Sequence, residues 1–236
     1  MARRASTLDI DAVLVEALGP PAGSEPDADA DAVLGATSAL LGQYGLRRWS
    51  MDDVAERAGL ARATVYRRFE SRDRLVRAAL TRDARQFFAA VAGAVERTDS
   101  IEDKVVEGLV VGLELVGLSP VPGLLEADPG AALALVTSES ILQAGRRALV
   151  ESYESLTAGP VPPGERHRVE AVAEALIRLA LSLLVTPGVL TGAGEDRPGP
   201  DGAGGPGTEP ERREQMRATL AAVVRPLLRP PDRAGS

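Results

Sequence analysis

The stretch from Tyr44 to Leu80, YGLRRWSMDDVAERAGLARATVYRRFESRDRLVRAAL, constrains this chain more than any other. It reads as a helix, a tight turn, a second short helix and then a longer helix. Ser50 and Asp53 form an S-x-x-D capping pattern ahead of MDDVAERA. Val54, Ala55 and Ala58 share one face of that helix at helical spacing. Ala55 is small enough to admit a neighbouring helix closely. Gly59 stands where a helix ends and a left-handed residue is cheap. The second helix, about Arg62 to Phe69, points Val65 and Phe69 inward, and Leu60 can plug the corner.

The other face of that second helix carries Arg62, Thr64, Arg67 and Arg68, with Tyr66 on its flank. One apolar stripe, with cations and hydroxyls elsewhere, is what a reader of the DNA major groove requires. Arginine can donate two bonds to a guanine edge, and hydroxyls can bond phosphates. Between Leu46 and Arg77 nine Arg face five Asp or Glu, a local net of +4, whereas the whole chain carries −7. Positive charge concentrated on one module of an acidic protein is an electrostatic footprint for a polyanion.

These residues carry a resemblance. Trp49–Phe69 with Ser71-Arg72-Asp73 resembles the DNA-binding domain of the tetracycline-repressor family of bacterial transcription regulators. The matching positions are Met51-Asp52-Asp53-Val54-Ala55, Ala58-Gly59, Thr64-Val65-Tyr66, Phe69 and Ser71-Arg72. The resemblance is close over Asp31 to Leu80. Beyond it, only the helical layout and phrases such as LALSLLVTP at Leu179–Pro187 look like the family. One departure is Ala61, where many members place a Ser or Thr that caps the reading helix. Its absence costs about 0.5–2 kcal/mol if nothing else caps that end.

The resemblance implies an all-α fold: an N-terminal three-helix helix-turn-helix DNA-binding domain, then a C-terminal helical ligand-binding and dimerisation domain. It implies that Arg62, Ala63, Arg67 and Arg68 face base edges or nearby backbone. Thr64, Tyr66, Ser50, Trp49 and Arg72 would hold phosphates, with Arg48 along the DNA backbone. Trp49 has packing as its competing role. For Arg72 the positive end of the following helix adds a physical reason.

Composition agrees with a helical protein. Hydrophobic residues make up 44% of the 236 and aromatics only 3%, which favours aliphatic helix packing. There is no Cys and a single His, His167, so no disulfide framework, Cys-ligated metal or multi-histidine site is expected. Neither a cofactor nor a catalytic residue is expected. No transmembrane span or signal-peptide core is evident, and a cytoplasmic location is the expectation.

In chain order, residues 1–28 read as a flexible extension, with a helix docked on the body or an arm that touches DNA as the alternative. Leu8–Gly19 can form a short amphipathic helix with Leu8, Val13, Leu14, Val15 and Leu18. Arg3 and Arg4 are its only residues that favour DNA. Asp31 to Tyr44 is a helix with Val33, Ala36, Thr37, Leu40 and Leu41 on one stripe, closing a DNA-binding domain over 29–76. A helical effector and dimerisation domain is expected over 77–228. Its helices run to Arg97, from Ile101 to Leu118, from Ala131 to Leu156, from Glu165 to Thr186 and from Glu211 to Arg225. Leu227 lies past a stop at Pro226. Residues 192–210 read as a mobile loop and 229–236 as a disordered tail.

Polar Thr137, Ser138, Ser140 and Gln143 within the apolar Ala131–Leu156 stretch read either as an exposed polar face or as part of a ligand cavity, with Leu113, Val116, Leu125, Val136, Ser140 and Gln143 as the candidate lining of the latter. The last two helices resemble the pair that forms a four-helix dimer interface in the family, which would use Val172, Leu176, Ala180, Leu184, Leu220 and Val224. A dimer also has a reason of its own. One reading helix contacts only a few base pairs, and a two-fold pair contacts two half-sites. The expected partners are therefore an operator in double-stranded DNA, a second copy and an unidentified small-molecule effector. The expected activity is that of a dimeric transcription regulator, a repressor released from a palindromic operator by that effector. A helical adaptor that binds protein through the same helices is the alternative. An all-helical enzyme lacks any catalytic constellation to support it.

Overall fold

The computed structural model describes residues 10–19, 27–46, 48–127, 129–130, 138–157, 159–185 and 208–228. Among these the regular structure is entirely helical. The helices are α1 (Ile10–Leu18), α2 (Ala28–Tyr44), α3 (Met51–Ala58), α4 (Arg62–Phe69), α5 (Arg72–Glu96), α6 (Ile101–Gly117), α7 (Val121–Ala127), α8 (Glu139–Leu156), α9 (Pro163–Val185) and α10 (Glu209–Leu228). No single described helix is long and apolar enough to cross a membrane. Arg3, Arg4, Pro187, residues 192–207 and the tail 229–236 lie outside the described residues.

The chain forms two compact units that do not follow the expected division at residue 77. The first comprises Met1–Ala89 with Leu115–Ile141, the second Ala90–Glu114 with Leu142–Ser236. The physical reason lies in two glycines. Gly42 of α2 and Gly123 of α7 meet with no side chain between their backbones, so α7 lies directly on α2. Pro120 closes the other side of Gly42, and Leu124 of α7 is buried.

The core of the first unit is built from α1 to α5: Val13, Val33, Leu40, Leu41, Trp49, Met51, Val54, Val65, Leu75 and Leu80, with Leu60 and Phe69 packed against it. Each fully buried Val or Leu contributes about 1.5–3 kcal/mol. The reading of residues 1–28 as a flexible extension does not hold for α1. Val13 is 1% exposed and joins this core, and Leu14 and Ala17 are buried beside it. Glu16 adds polar ties, its carboxylate to Arg77 (3.2 Å) and its carbonyl to Arg85 (2.7 Å). Val15 and Leu18, expected on the apolar face, point outward.

Helix α2 starts earlier than its stripe suggests because Asp27 caps it, accepting from Asp29 and Ala30 N–H. It is pinned to α5 by Ser38, which donates to Asp83 Oδ2 (2.5 Å), while Arg82 reaches Asp31 O (3.1 Å) and Asp83.

The second unit has its own core: Val105, Val106, Leu109 and Val110 of α6, Leu176 and Leu183 of α9, and Leu220 and Val224 of α10. Helix α10 does not stop before Pro226 but continues through it to Leu228. Proline forfeits the bond to the carbonyl four residues back. Here that residue, Ala222, is exposed, so water can take the proline's place.

Candidate nucleic-acid interface

The turn between α3 and α4 forms as its residues dictate. Ser50 and Asp53 close a full capping box, with Ser50 N–H donating to Asp53 Oδ2 (2.7 Å) and Asp53 N–H to Ser50 Oγ (3.3 Å). The Ser50 backbone bond first, and its hydroxyl second, hold the Asp53 carboxyl below the ordinary carboxylate value. That cap is fully present above the unfolded value and is lost as pH falls through the lowered one. Gly59 ends α3 at φ 69° and ψ 27°, the left-handed conformation. Ala61 provides no side-chain cap for α4, as its methyl requires.

Val65 is 0% exposed and fixes which way α4 faces. Its outer face therefore carries Arg62, Ala63, Tyr66, Arg67 and Arg68, all exposed, with Thr64 half-buried. The cations on that face are not equivalent. Arg62 pairs with Asp52 of α3 (2.8 Å), and Arg68 with Asp27 at the start of α2. Among the described residues no ion pair engages Arg67, nor Arg48 and Arg57 nearby. Arg48 makes one long bond, to Tyr44 O (3.4 Å).

Three of the expected phosphate ligands are occupied within the chain. Trp49 is 6% exposed, and its indole N–H donates to Gly45 O (2.8 Å). Its packing role therefore prevails over an indole contact to DNA. Arg72 stacks its guanidinium 4.0 Å from the Trp49 ring centroid and donates to Trp49 O (3.2 Å) and Leu46 O. Burial pushes its pKa down, with Asp73 pulling the other way. It is a brace between α5 and the entry to α3, not an outstretched phosphate ligand. The Ser50 hydroxyl donates to Asp53 (2.8 Å).

A strained residue sets the angle between α4 and α5. Glu70 has φ 47° and ψ −41°, and Ser71 N–H donates to Phe69 O across it, a γ-turn with positive φ. Such turns are rare and disfavour a Cβ. Glu70→Gly is expected to raise the stability of the head by about 1 kcal/mol. Its exposed pair with Arg74 (2.8 Å) offsets little of that gain. A thermal melt that fell rather than rose would show the turn to be relaxed.

The other expected sites fare differently. Leu176 is 2% exposed and Leu220 and Val224 are 0% exposed within one chain. Their side chains fill the second unit's own core and offer no face to another copy. Val172 and Ala180 are half-buried against the same core, and the side chain of Leu184 lies outside the described residues. The described candidate ligand residues are divided between the two units. Leu113 and Gln143 belong to the second unit, Val116, Leu125 and Ser140 to the first, and Val136 lies outside the described residues. Within the second unit a mostly apolar cavity of about 340 Å³ is lined instead by Ile101, Val105, Leu149, Tyr153, Val172 and Leu176, among others. Gln143 lines a separate polar cleft of the same unit with Arg146, Arg166 and Glu170. His167 is exposed.

Comparisons with known proteins agree with this geometry. Residues 33–79 match the model of the family described as "Bacterial regulatory proteins, tetR family". Two proteins of Mycobacterium tuberculosis, from strains CDC 1551 / Oshkosh and H37Rv, are each 26% identical over 166 residues, covering 67% of this chain and 76% of the relative. Both are named as uncharacterized HTH-type transcriptional regulators. The crystal structure of a TetR-like transcriptional regulator from Rhodococcus sp. RHA1 shares the fold, with a TM-score of 0.55 and 18% identity over 86% of this chain and 99% of that one. With a buried Val65 turning a cationic helix outward and a family match spanning that helix, residues 33–79 form a domain of the tetR family of bacterial regulatory proteins.

Proposed function

We propose that the protein is a repressor that acts as a dimer. Helix α4 of each copy enters the major groove of one half of a two-fold-symmetric operator. The observation that carries this reading is the outer face of α4, where Arg67 is exposed beside Tyr66 and Ala63 and, among the described residues, engaged by no ion pair. Arg67 is the base-edge reader, and Arg48 contributes phosphate affinity. Two half-sites one helical turn apart, or a multiple of it, need two heads in fixed relation. The surfaces that remain for a second copy are the exposed Ala171 and Ala175 of α9 and Ala218, Ala222 and Val223 of α10. Small side chains there permit close helix approach.

A small-molecule effector is assigned to the apolar cavity of the second unit. Its volume of about 340 Å³ suits a compact, largely apolar molecule, with Tyr153, Glu165 and Arg168 as the polar residues of its lining. Release from the operator requires that this molecule bind the DNA-competent arrangement less well than another.

Selection of bound sequences from random duplexes tests the reading, and a palindromic consensus is the expected result. On that consensus Arg67→Ala is expected to lose about 1–3 kcal/mol of discrimination against single-base variants. Arg48→Ala is expected to weaken all duplexes alike and to reduce the salt slope by about one. Equal losses from both changes on specific and random DNA would contradict this division of roles.

A further inference from the structure

The DNA-reading face carries its own competitor. We infer that Asp27 lowers the DNA affinity of this chain by occupying Arg68 in place of a DNA phosphate. The inference rests on the proposed role of α4 as the DNA reader.

Asp27 is the N-cap of α2, and its carboxylate serves two helices at once. Its Oδ1 accepts from Asp29 N–H (3.1 Å) and Ala30 N–H (3.3 Å), while Oδ2 pairs with Nη2 of Arg68 on α4. The cap fixes the carboxylate in place, because α2 is held by the head core through Val33, Leu40 and Leu41. Both side chains of the pair remain partly open to solvent, at 35% for Arg68 and 44% for Asp27. The pair is therefore accessible to an incoming polyanion. The hydrogen bond from Arg68 is the main reason the Asp27 carboxyl stays below its ordinary value, so it is ionised whenever DNA is bound near neutrality.

A carboxylate and a phosphodiester offer a guanidinium the same chemistry: two anionic oxygens that accept charge-assisted hydrogen bonds. Arg68 cannot serve both with the same N–H. Where it stays with Asp27, the protein makes one fewer phosphate contact and releases one fewer counterion. Where it transfers to DNA, the lost pair offsets part of the gain. Either way affinity falls, and it falls on every sequence equally, because backbone contacts carry no base information. A head that holds random DNA less tightly searches faster. Arg67, which has no such partner among the described residues, is left as the dominant cation of α4.

Asp27→Asn separates the two roles of the residue, because asparagine caps a helix as well as aspartate does but carries no charge. Asp27→Ser, another good cap, serves as the second variant. Fluorescence anisotropy on a random-sequence duplex is measured across a salt series for the full chain, the two Asp27 variants, Arg68→Ala and Asp27→Asn combined with Arg68→Ala. Both Asp27 variants are expected to bind about 5–10-fold tighter near 0.1 M salt, with log K falling more steeply by about 0.9 per decade of salt. With Arg68→Ala in place the gain is expected to vanish. Unchanged or weaker binding by the Asp27 variants overturns the inference. So does a gain that survives Arg68→Ala, which would reflect only the loss of one negative charge. Failure of the unaltered chain to bind DNA at low salt would overturn the DNA-reading assignment itself, whereas binding without a response to Asp27 overturns this inference alone.

Discussion

Truncating Arg213 and Arg217 together to alanine is expected to destabilise the second unit by about 3–5 kcal/mol. Both arginines project from α10 toward Glu107 of α6. Arg213 Nη2 lies 2.7 Å from Oε1, and Arg217 Nη2 lies against Oε2. Arg213 also reaches Glu114 (3.2 Å). Glu107 is buried among the valines and leucines of α6, whereas the two guanidiniums are partly hydrated. The asymmetry decides which truncation is worse. Removing the arginines strands a carboxylate away from water, and desolvation of an unpaired ion dominates. Glu107→Ala instead leaves two cations that water can reach, and about 1–3 kcal/mol is the expected loss. Adding Glu107→Leu to the double arginine variant is expected to recover most of the stability, since an apolar side chain of similar size has no charge to strand. Urea unfolding followed by circular dichroism measures all three. A double arginine variant within about 1 kcal/mol of the parent would mean that these pairs do not hold α6 to α10.

Gly123→Ala is expected to cost the first unit about 3 kcal/mol, the upper end for overpacking. A Cβ at Gly123 would overlap the carbonyl of Gly42, and its remaining neighbours there are also backbone atoms of α2. A clash with the end of a side chain is relieved by a rotamer change, but helix backbone yields only if α7 lifts and uncovers Leu124. Two other glycines calibrate the claim. At Gly42 the added carbon would meet Pro120 at 3.2 Å, tight but adjustable, and a loss near 1 kcal/mol is expected. At Gly117 it would meet nothing within 4 Å, and Gly117→Ala is expected to be neutral or stabilising by up to about 1 kcal/mol. Differential scanning calorimetry should rank the three melting temperatures in that order. Indifference to Gly123→Ala would remove the steric basis for grouping α7 with α2.

These two sites also mark where sequence reasoning ended. The α3–turn–α4 segment was legible because its signals are local. Ser50 and Asp53 are one helical turn apart, Gly59 sits at the stop, and Val65 lies opposite Arg67. The missed features join distant residues. Nothing in the spacing links Arg68 to Asp27, Arg213 to Glu107, or Gly123 to Gly42. The positive end of α5 made Arg72 look available to phosphate, but Trp49, 23 positions earlier, offered a ring and a carbonyl that hold it inside the chain. An apolar stripe such as Leu176, Leu220 and Val224 says that a face is covered, not by which neighbour. Here α6 of the same chain lies in that core. Helix α1 is hard to read from the sequence for a related reason: Val13 and Leu14 suffice to seat it once a groove exists, and the groove is invisible until the head has folded.

The placement of α7 has a practical consequence for anyone who wishes to excise the helix-turn-helix module. A fragment cut after residue 89 would contain every side chain credited with reading DNA, yet it would bare the Gly42 stripe on α2 that α7 normally shields. Such a truncation invites self-association through the bared strip. A soluble minimal module would need residues 115–141 grafted back or supplied as a separate peptide.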